Sequence, residues 1–270
     1  MVGKKERKFA YIMSIGAMLV FFYLPIVIMV IFSFNSTKSL TNFSSFSLRW
    51  YETLFRNRQM VSAIQVSLSV ALISTLVSTI AGTLTAIGLT NSNKLVRKSV
   101  LQINNLPIMN PEIVTAISLM LLFIAFKVPK GFATLLLAHI AFSIPYVILT
   151  ILPKLRKLDP NLADAAMDLG ATPFQALIKV ILPQITPSVI SAALLAFTMS
   201  FDDFVISYFV SGNGVSNISM WVYTMSKRID PSVNALSTIM VGVITLILIL
   251  INVIPVLTKN TQKHKKVIGA

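Results

Sequence analysis

The chain contains no cysteine. Disulfides, thiolate chemistry and sulfur-ligated zinc are therefore excluded. Charge is also scarce. Asp, Glu, Lys and Arg make up 12% of the 270 residues, where an ordinary soluble domain carries roughly 25%. So few charged side chains cannot clothe a water-soluble surface, which argues against a soluble enzyme, a DNA-binding domain and a disordered tail. Acidic residues are the rarest, nine against 23 Lys and Arg, for a net charge of +14. Histidine occurs twice, at His139 and His264. No G-x-x-x-x-G-K-S/T run occurs, so no ATP binding through that motif is expected. No catalytic constellation, metal site or cofactor site emerges.

What is abundant is apolar surface, at 55% of residues and a mean hydropathy of +0.81. A membrane-spanning helix needs about 20 mostly apolar residues. Six stretches qualify: Phe9–Phe34, Ala63–Leu89, Val100–Phe126, Phe132–Leu152, Thr186–Val210 and Ala235–Leu257. The expected fold is all-α, a polytopic membrane protein with six transmembrane helices in one domain spanning residues 1–270. The first stretch is too long for a signal peptide's apolar region and no A-x-A site follows, so it reads as a retained anchor. In a soluble protein the basic excess would point to nucleic acid. Here the cations sit in short runs between apolar stretches, and the partner is the lipid bilayer. With both termini cytoplasmic, 15 of the 23 Lys and Arg fall on the inner side, which satisfies the positive-inside rule. Outside, Trp50, Tyr51, Leu54 and Phe55 recur at helical spacing within Phe46–Arg58, as in a short interfacial helix.

The segment Pro153–Pro183 between the fourth and fifth spans reads as helix–turn–helix. Asp159 and Pro160 suit an N-cap and first helical position, and Leu162, Ala165, Ala166 and Leu169 share one face. Gly170 stops that helix. Thr172, Pro173 and Gln175 then form a capping box for the next, which Pro183 ends or kinks. Such a loop is either a cover for the bundle or a docking knob for another protein.

Three of the nine acids, Glu112, Asp202 and Asp203, lie within spans. Each costs roughly 2.5–3.5 kcal/mol at mid-helix, so each is a functional candidate. On an ideal helix Phe197, Phe201, Phe204 and Tyr208 fall within about 60° of one another. Ser200, Asp203, Ser207 and Ser211 form a separate polar stripe, and Asp202 points about 100° from Asp203. A carboxylate beside ring faces suits an organic cation. The alternatives are rings that only pack and an Asp that caps a local break. Asn110-Pro111-Glu112 resembles a helix start inside the third span, with Val100–Met109 a separate piece and Pro107 another interruption. Glu112 there either lines a path or offsets a helix dipole. His139 has no carboxylate near it in sequence and is expected to be a hydrogen-bonded structural residue.

Asp164-Ala165-Ala166, Gly170-Ala171 and Ile181-Leu182-Pro183 together resemble the EAA loop of ABC importer permeases, with Asp164 where that motif has Glu. The resemblance covers about 62–257. The run 196–207 and the pieces Tyr223-Thr224-Met225 and Pro231–Leu236 are similar to polyamine ABC permeases, those of spermidine and putrescine importers. The resemblance implies a bacterial plasma-membrane permease subunit with no enzymatic activity of its own. It implies a second homologous permease, two copies of a cytoplasmic ATPase and an extracytoplasmic polyamine-binding protein as partners. It further implies ATPase coupling through Asp164, Ala165, Ala166, Gly170 and Ala171. Asp203, Asp202, Glu112, Ser207, Tyr208 and Phe201 are the substrate-binding candidates. Two rivals stay open: a permease for another small solute, and an ion-gradient-driven secondary transporter using the span acids for protons. A membrane scaffold that moves nothing is a third.

Overall fold

The computed structural model describes residues 4–39, 41–226 and 230–243, with 245, 246 and 249. All regular elements among the described residues are helical, with one isolated bridge between Asn35 and Phe46. The chain divides into two compact units, residues 1–58 with 224–270, and residues 59–223.

In the first unit, α1 (Lys4–Ser33) carries the expected first span as Tyr11–Ser33. The interfacial segment folds as α2 (Arg49–Arg56). Its Trp50 and Leu54 are buried, while Phe55 remains exposed. Trp50 donates through Nε1 to the Asn35 carbonyl at 2.6 Å. The Asn35 amide in turn ties the loop, donating to the Ser39 and Asn42 carbonyls and accepting from the Ser44 N–H. A buried indole and a buried amide are thus both satisfied. A short apolar helix, Ser232–Val243, begins the expected sixth span. Residues 244, 247, 248 and 250–257 of that span, Lys227, Arg228 and the C-terminal lysines lie outside the described residues.

The second unit runs α3 (Arg58–Thr90), α4 (Lys94–Met109), α5 (Glu112–Ala125), α6 (Phe132–Leu155), α7 (Leu162–Asp168), α8 (Pro173–Ala176), α9 (Leu182–Asp202), α10 (Val205–Val210) and α11 (Ile218–Ser226). Two apolar clusters hold it. One joins Ala86 and Leu89 of α3, Val147, Ile148 and Ile151 of α6, and Ile185, Ala192 and Ala196 of α9. The other joins Val70, Ala116, Phe123, Leu135, Ala138, Phe142, Ile206 and Val210. Small residues let the helices approach closely. At Gly82 a Cβ would come 2.5 Å from a Val147 methyl, so only glycine permits this α3–α6 contact.

Two expected spans are discontinuous. The third is bent by 108° between α4 and α5. Asn110 and Pro111 take extended conformations there, as the residue before a proline prefers. The second expected interruption does not occur: Pro107 lies inside α4, which begins at Lys94 with Asn93 as its cap. The fifth span is not the continuous helix Thr186–Val210. It breaks at Asp203-Phe204, between α9 and α10. Among the described residues four helices are long and apolar enough to cross a membrane, five with the bent pair counted as one.

The loop after α6 departs from its sequence reading at both ends. Asp159 does not cap the first helix directly. Its Oδ1 accepts from the Asn161 N–H at 2.9 Å, and α7 starts at Leu162. The Thr172–Gln175 capping box forms as expected. The second helix does not stop at Pro183. It passes through a π-helical turn, Leu177–Ile181, and continues as α9. Pro183 has no N–H for the Lys179 carbonyl, and the wider turn, with Leu182 N–H reaching the Leu177 carbonyl, absorbs that mismatch without ending the helix.

Candidate functional site

The break in the fifth span has neither proline nor glycine. It exists because a side chain replaces the missing backbone partners. The Asp203 carboxylate accepts from the Ile206 N–H at 3.2 Å and the Ser207 N–H at 2.8 Å, which caps α10. On the other side of the break, the Asp203 carbonyl accepts from Asn217 Nδ2 at 2.7 Å and the Asp202 carbonyl from Ser219 Oγ at 3.2 Å. Asn217 also starts α11, accepting from the Met220 N–H, and the Ile218 N–H donates to Ser67 Oγ on α3. Two N–H groups and two carbonyls that the helix break orphans are thus paired.

Hydrogen-bond bookkeeping then orients His139 of α6. The Ser207 hydroxyl donates to Asp203 Oδ2 at 2.6 Å, so its oxygen can only accept from others. It accepts from Asn217 Nδ2 at 2.8 Å and from His139 Nε2 at 3.0 Å. Nε2 therefore carries a proton, and it lies 3.4 Å from Asp203 Oδ2. His139 Nδ1 faces Ser200 Oγ at 2.7 Å, and Ser200 accepts from Ser74 of α3 at 3.0 Å. Sequence reading saw no carboxylate for His139. The fold supplies one from 64 positions away in number, by bringing α6 against the break. Asn217 was missed as well, since an Asn in a Gly-containing loop reads as turn chemistry.

Of the sequence-predicted residues, Ser207 and Asp203 are buried, Asp203 with 5% of its surface exposed. Asp202 and Glu112 are exposed. Glu112 opens α5 and lies within electrostatic reach of Asp203. The breaks of the third and fifth spans therefore meet, with the Glu112 and Asp203 carboxyl groups brought together there. The rings form two groups. Phe197 and Phe201 stack at 5.7 Å on α9. Phe204, just before α10, and Tyr208 on it lie 5.5 Å apart, and Phe204 also meets Tyr223 of α11 at 4.8 Å. Tyr223 was not among the expected site residues.

A second surface surrounds the α7–α8 turn. Gly170 has φ +88°, and a Cβ there would meet open space. Leu169 and Phe174 flank it with 90% and 68% of their surfaces exposed. Asp164, Ala165 and Gly170 are exposed, and Ala166 and Ala171 are half-buried. Beside them lies a cavity of about 730 Å³ whose lining includes Arg97, Arg156, Asp164 and Met167. Rigid caps at Thr172 hold two bare apolar side chains outward, a form suited to insertion into another protein.

The family described as "Binding-protein-dependent transport system inner membrane component" matches residues 78–257. The chain is 37% identical over 235 residues to the putrescine transport system permease protein PotI of Escherichia coli (strain K12), covering 84% of each chain. It is 37% identical to the spermidine/putrescine transport system permease protein PotC of the same organism, covering 87% of this chain and 89% of that one. To the PotC protein of Haemophilus influenzae the identity is 39% over 233 residues, covering 86% and 90%. Among solved structures, a bacterial ABC transporter involved in the import of the acidic polysaccharide alginate shares the fold, with TM-score 0.71 and 17% identity over 92% of this chain and 94% of that one. A related alginate transporter structure includes its periplasmic protein bound to an alginate pentasaccharide.

The network makes Asp203 and Asp202 separable in stability. Asp203→Ala strands two backbone N–H groups, Ser207 and His139, and is expected to cost at least about 2 kcal/mol. Asp202→Ala, at an exposed side chain, is expected to stay within about 0.5 kcal/mol. Thermal unfolding of the detergent-purified chain measures both. Combining Asp203→Ala with His139→Ala should cost less than the two single losses added, because the pair share one network.

Proposed function

The chain belongs to the binding-protein-dependent transport system inner membrane component family, and we propose that it is the permease subunit of an ATP-driven importer that carries polyamines into the cytoplasm. The near-full-length likeness to polyamine permeases carries this reading. The converging acids of the two broken spans support it chemically. A polyamine has ammonium groups separated by methylene spacers, so its path needs carboxylates for the charge and apolar or aromatic walls for the spacers.

Six spans, both termini inside, would enclose the path together with a second homologous permease. Asp202 and Glu112 are exposed at the ends of α9 and α5 that flank the two breaks, where that second permease would lie. They are the groups we assign to the passing cation, with Phe201 and Tyr208 as walls. Asp203 and Ser207 we assign to holding the break in place, because a buried carboxylate spent on backbone N–H groups has little left for a ligand. Like charges in low dielectric repel, and a dication or trication relieves that repulsion. Binding must stay weak, because a transporter releases what it takes up.

ATP hydrolysis would reside in two copies of a cytoplasmic ATPase, each taking up an α7–α8 turn. Asp164, Ala165, Ala166, Gly170 and Ala171 would form the seated surface. The helix that begins at Pro173 continues through the π turn into α9 and ends at Asp202. A push on the turn would therefore reach the acids along one helical body. An extracytoplasmic binding protein would deliver the polyamine.

The test is uptake of spermidine and putrescine by proteoliposomes holding this chain, the second permease and the ATPase, with the binding protein outside. Glu112→Gln combined with Asp202→Asn is expected to lower uptake at least about tenfold, about 1.4 kcal/mol, with assembly intact. Wild-type rates in that variant would remove the carboxylates from the path. Uptake that follows an ion gradient and ignores ATP would overturn the importer reading in favour of a gradient-driven carrier.

Gly170→Leu tests coupling. No atom of the described residues lies within 4 Å of where its Cβ would go, so only the left-handed backbone is strained, by about 1–2 kcal/mol. The variant is expected to insert in the membrane and to lose both ATPase binding and uptake. Normal uptake would show that nothing seats on this turn.

A further inference from the structure

Three rings stand against one another at the break in the fifth span. Phe204, just before α10, and Tyr208 on it lie one turn apart, and Tyr223 reaches them from α11. Their centroids are 5.5 Å (Phe204–Tyr208), 4.8 Å (Phe204–Tyr223) and 6.5 Å (Tyr208–Tyr223), and no two rings are parallel, the tilts being 37°, 43° and 76°. Their mutual packing does not enclose the rings. Here Tyr208 and Tyr223 keep 55% and 44% of their surfaces exposed, although the ends of both short helices are held by buried bonds.

The placement of the triangle follows from the break. Ser219 holds the Asp202 carbonyl, and Tyr223, one turn later on the same face of α11, holds the Phe204 ring. The rings therefore sit beside the end of α9, where the last-turn carbonyls of a 21-residue helix leave partial negative charge. The exposed carboxylate of Asp202 precedes Phe204 by two residues. Ring faces, a helix C-terminus and a carboxylate share one preference, for positive charge. The rings add tolerance for the methylene groups on either side of that charge, and the Tyr208 phenol oxygen can accept an N–H bond.

We propose that Phe204, Tyr208 and Tyr223 form an alkylammonium subsite, with Tyr223 as a specificity-determining residue contributed by α11. The subsite takes one ammonium and its flanking methylenes, while Asp202 and Glu112 serve the next charge along the molecule. This rests on the polyamine reading above. A neutral solute of the same length has nothing to gain there, so the rings separate a polyamine from a diol or a sugar.

The test uses the full assembly in nanodiscs, with 3-fluorotyrosine at position 223 and the ¹⁹F resonance as readout. Spermidine is expected to shift the resonance and 1,4-butanediol to leave it in place, and Tyr208→Leu should abolish the shift. In uptake, Tyr223→Leu is expected to raise the half-saturating spermidine concentration about fivefold, and Tyr223→Phe, which keeps the ring face, to restore most of the loss. No spermidine shift in an assembly that imports spermidine, or unchanged uptake in Tyr223→Leu, overturns the subsite and leaves the importer standing. A shift without import sustains the subsite and overturns the importer. Absence of both overturns both.

Discussion

One buried carboxylate sets the geometry of the candidate site. Interrupting a helix inside hydrocarbon exposes N–H and C=O groups that have no water to meet, at several kcal/mol each. Asp203 meets that cost on the α10 side, and Asn217 and Ser219 meet it on the α9 side. The carboxylate is itself a buried charge and needs partners. Ser207 and His139 provide them, and Ser200 and Ser74 extend the chain of bonds to α3. Without this network α10 has no start and α11 no anchor. Asp202, Tyr208 and Tyr223 would then have no defined place.

The two broken spans use different chemistry for the same end. The third turns at Asn110-Pro111, where the proline ring disfavours a helical conformation at Asn110 and removes one N–H. The fifth turns at Asp203 by hydrogen bonding alone. A break at proline is favoured by the covalent structure of the chain itself. A hydrogen-bonded break holds only while its partners on α6 and α11 stay in place, so movement of α9 against α6 can alter it. The helix that runs from Pro173 through the π turn to Asp202 links the exposed α7–α8 turn to that break within one element. In an importer this is the connection through which work done by an ATPase would reach the substrate path.

Much of this was legible residue by residue. The capping box at Thr172, the glycine stop at Gly170, the helix start at Pro111-Glu112 and the amphipathic α2 are local signals, and all four appear in the structure. A continuous helix would align Ser200, Asp203, Ser207 and Ser211 on one stripe. The first three form a cluster because His139 gathers them across the break, while Ser211 donates to Met220 Sδ on α11. The expectation that His139 is a hydrogen-bonded structural residue agrees with its contacts. The break itself was open in the sequence reading, since an Asp within a span reads equally as a ligand group or a cap. Pro183 misled in the other direction, because a π turn lets the helix pass it.

The sequence by itself determined that the chain lives in a membrane, is helical, and carries only three acids within its spans. Those are consequences of composition and periodicity, which act locally and need no knowledge of neighbours. Only the tertiary structure decided which acid is spent internally and which are presented. Asp202 and Asp203 are chemically identical and adjacent, and no local rule separates them. Their roles part because α6 brings an imidazole, and α11 an amide, to one side of the break and not to the other.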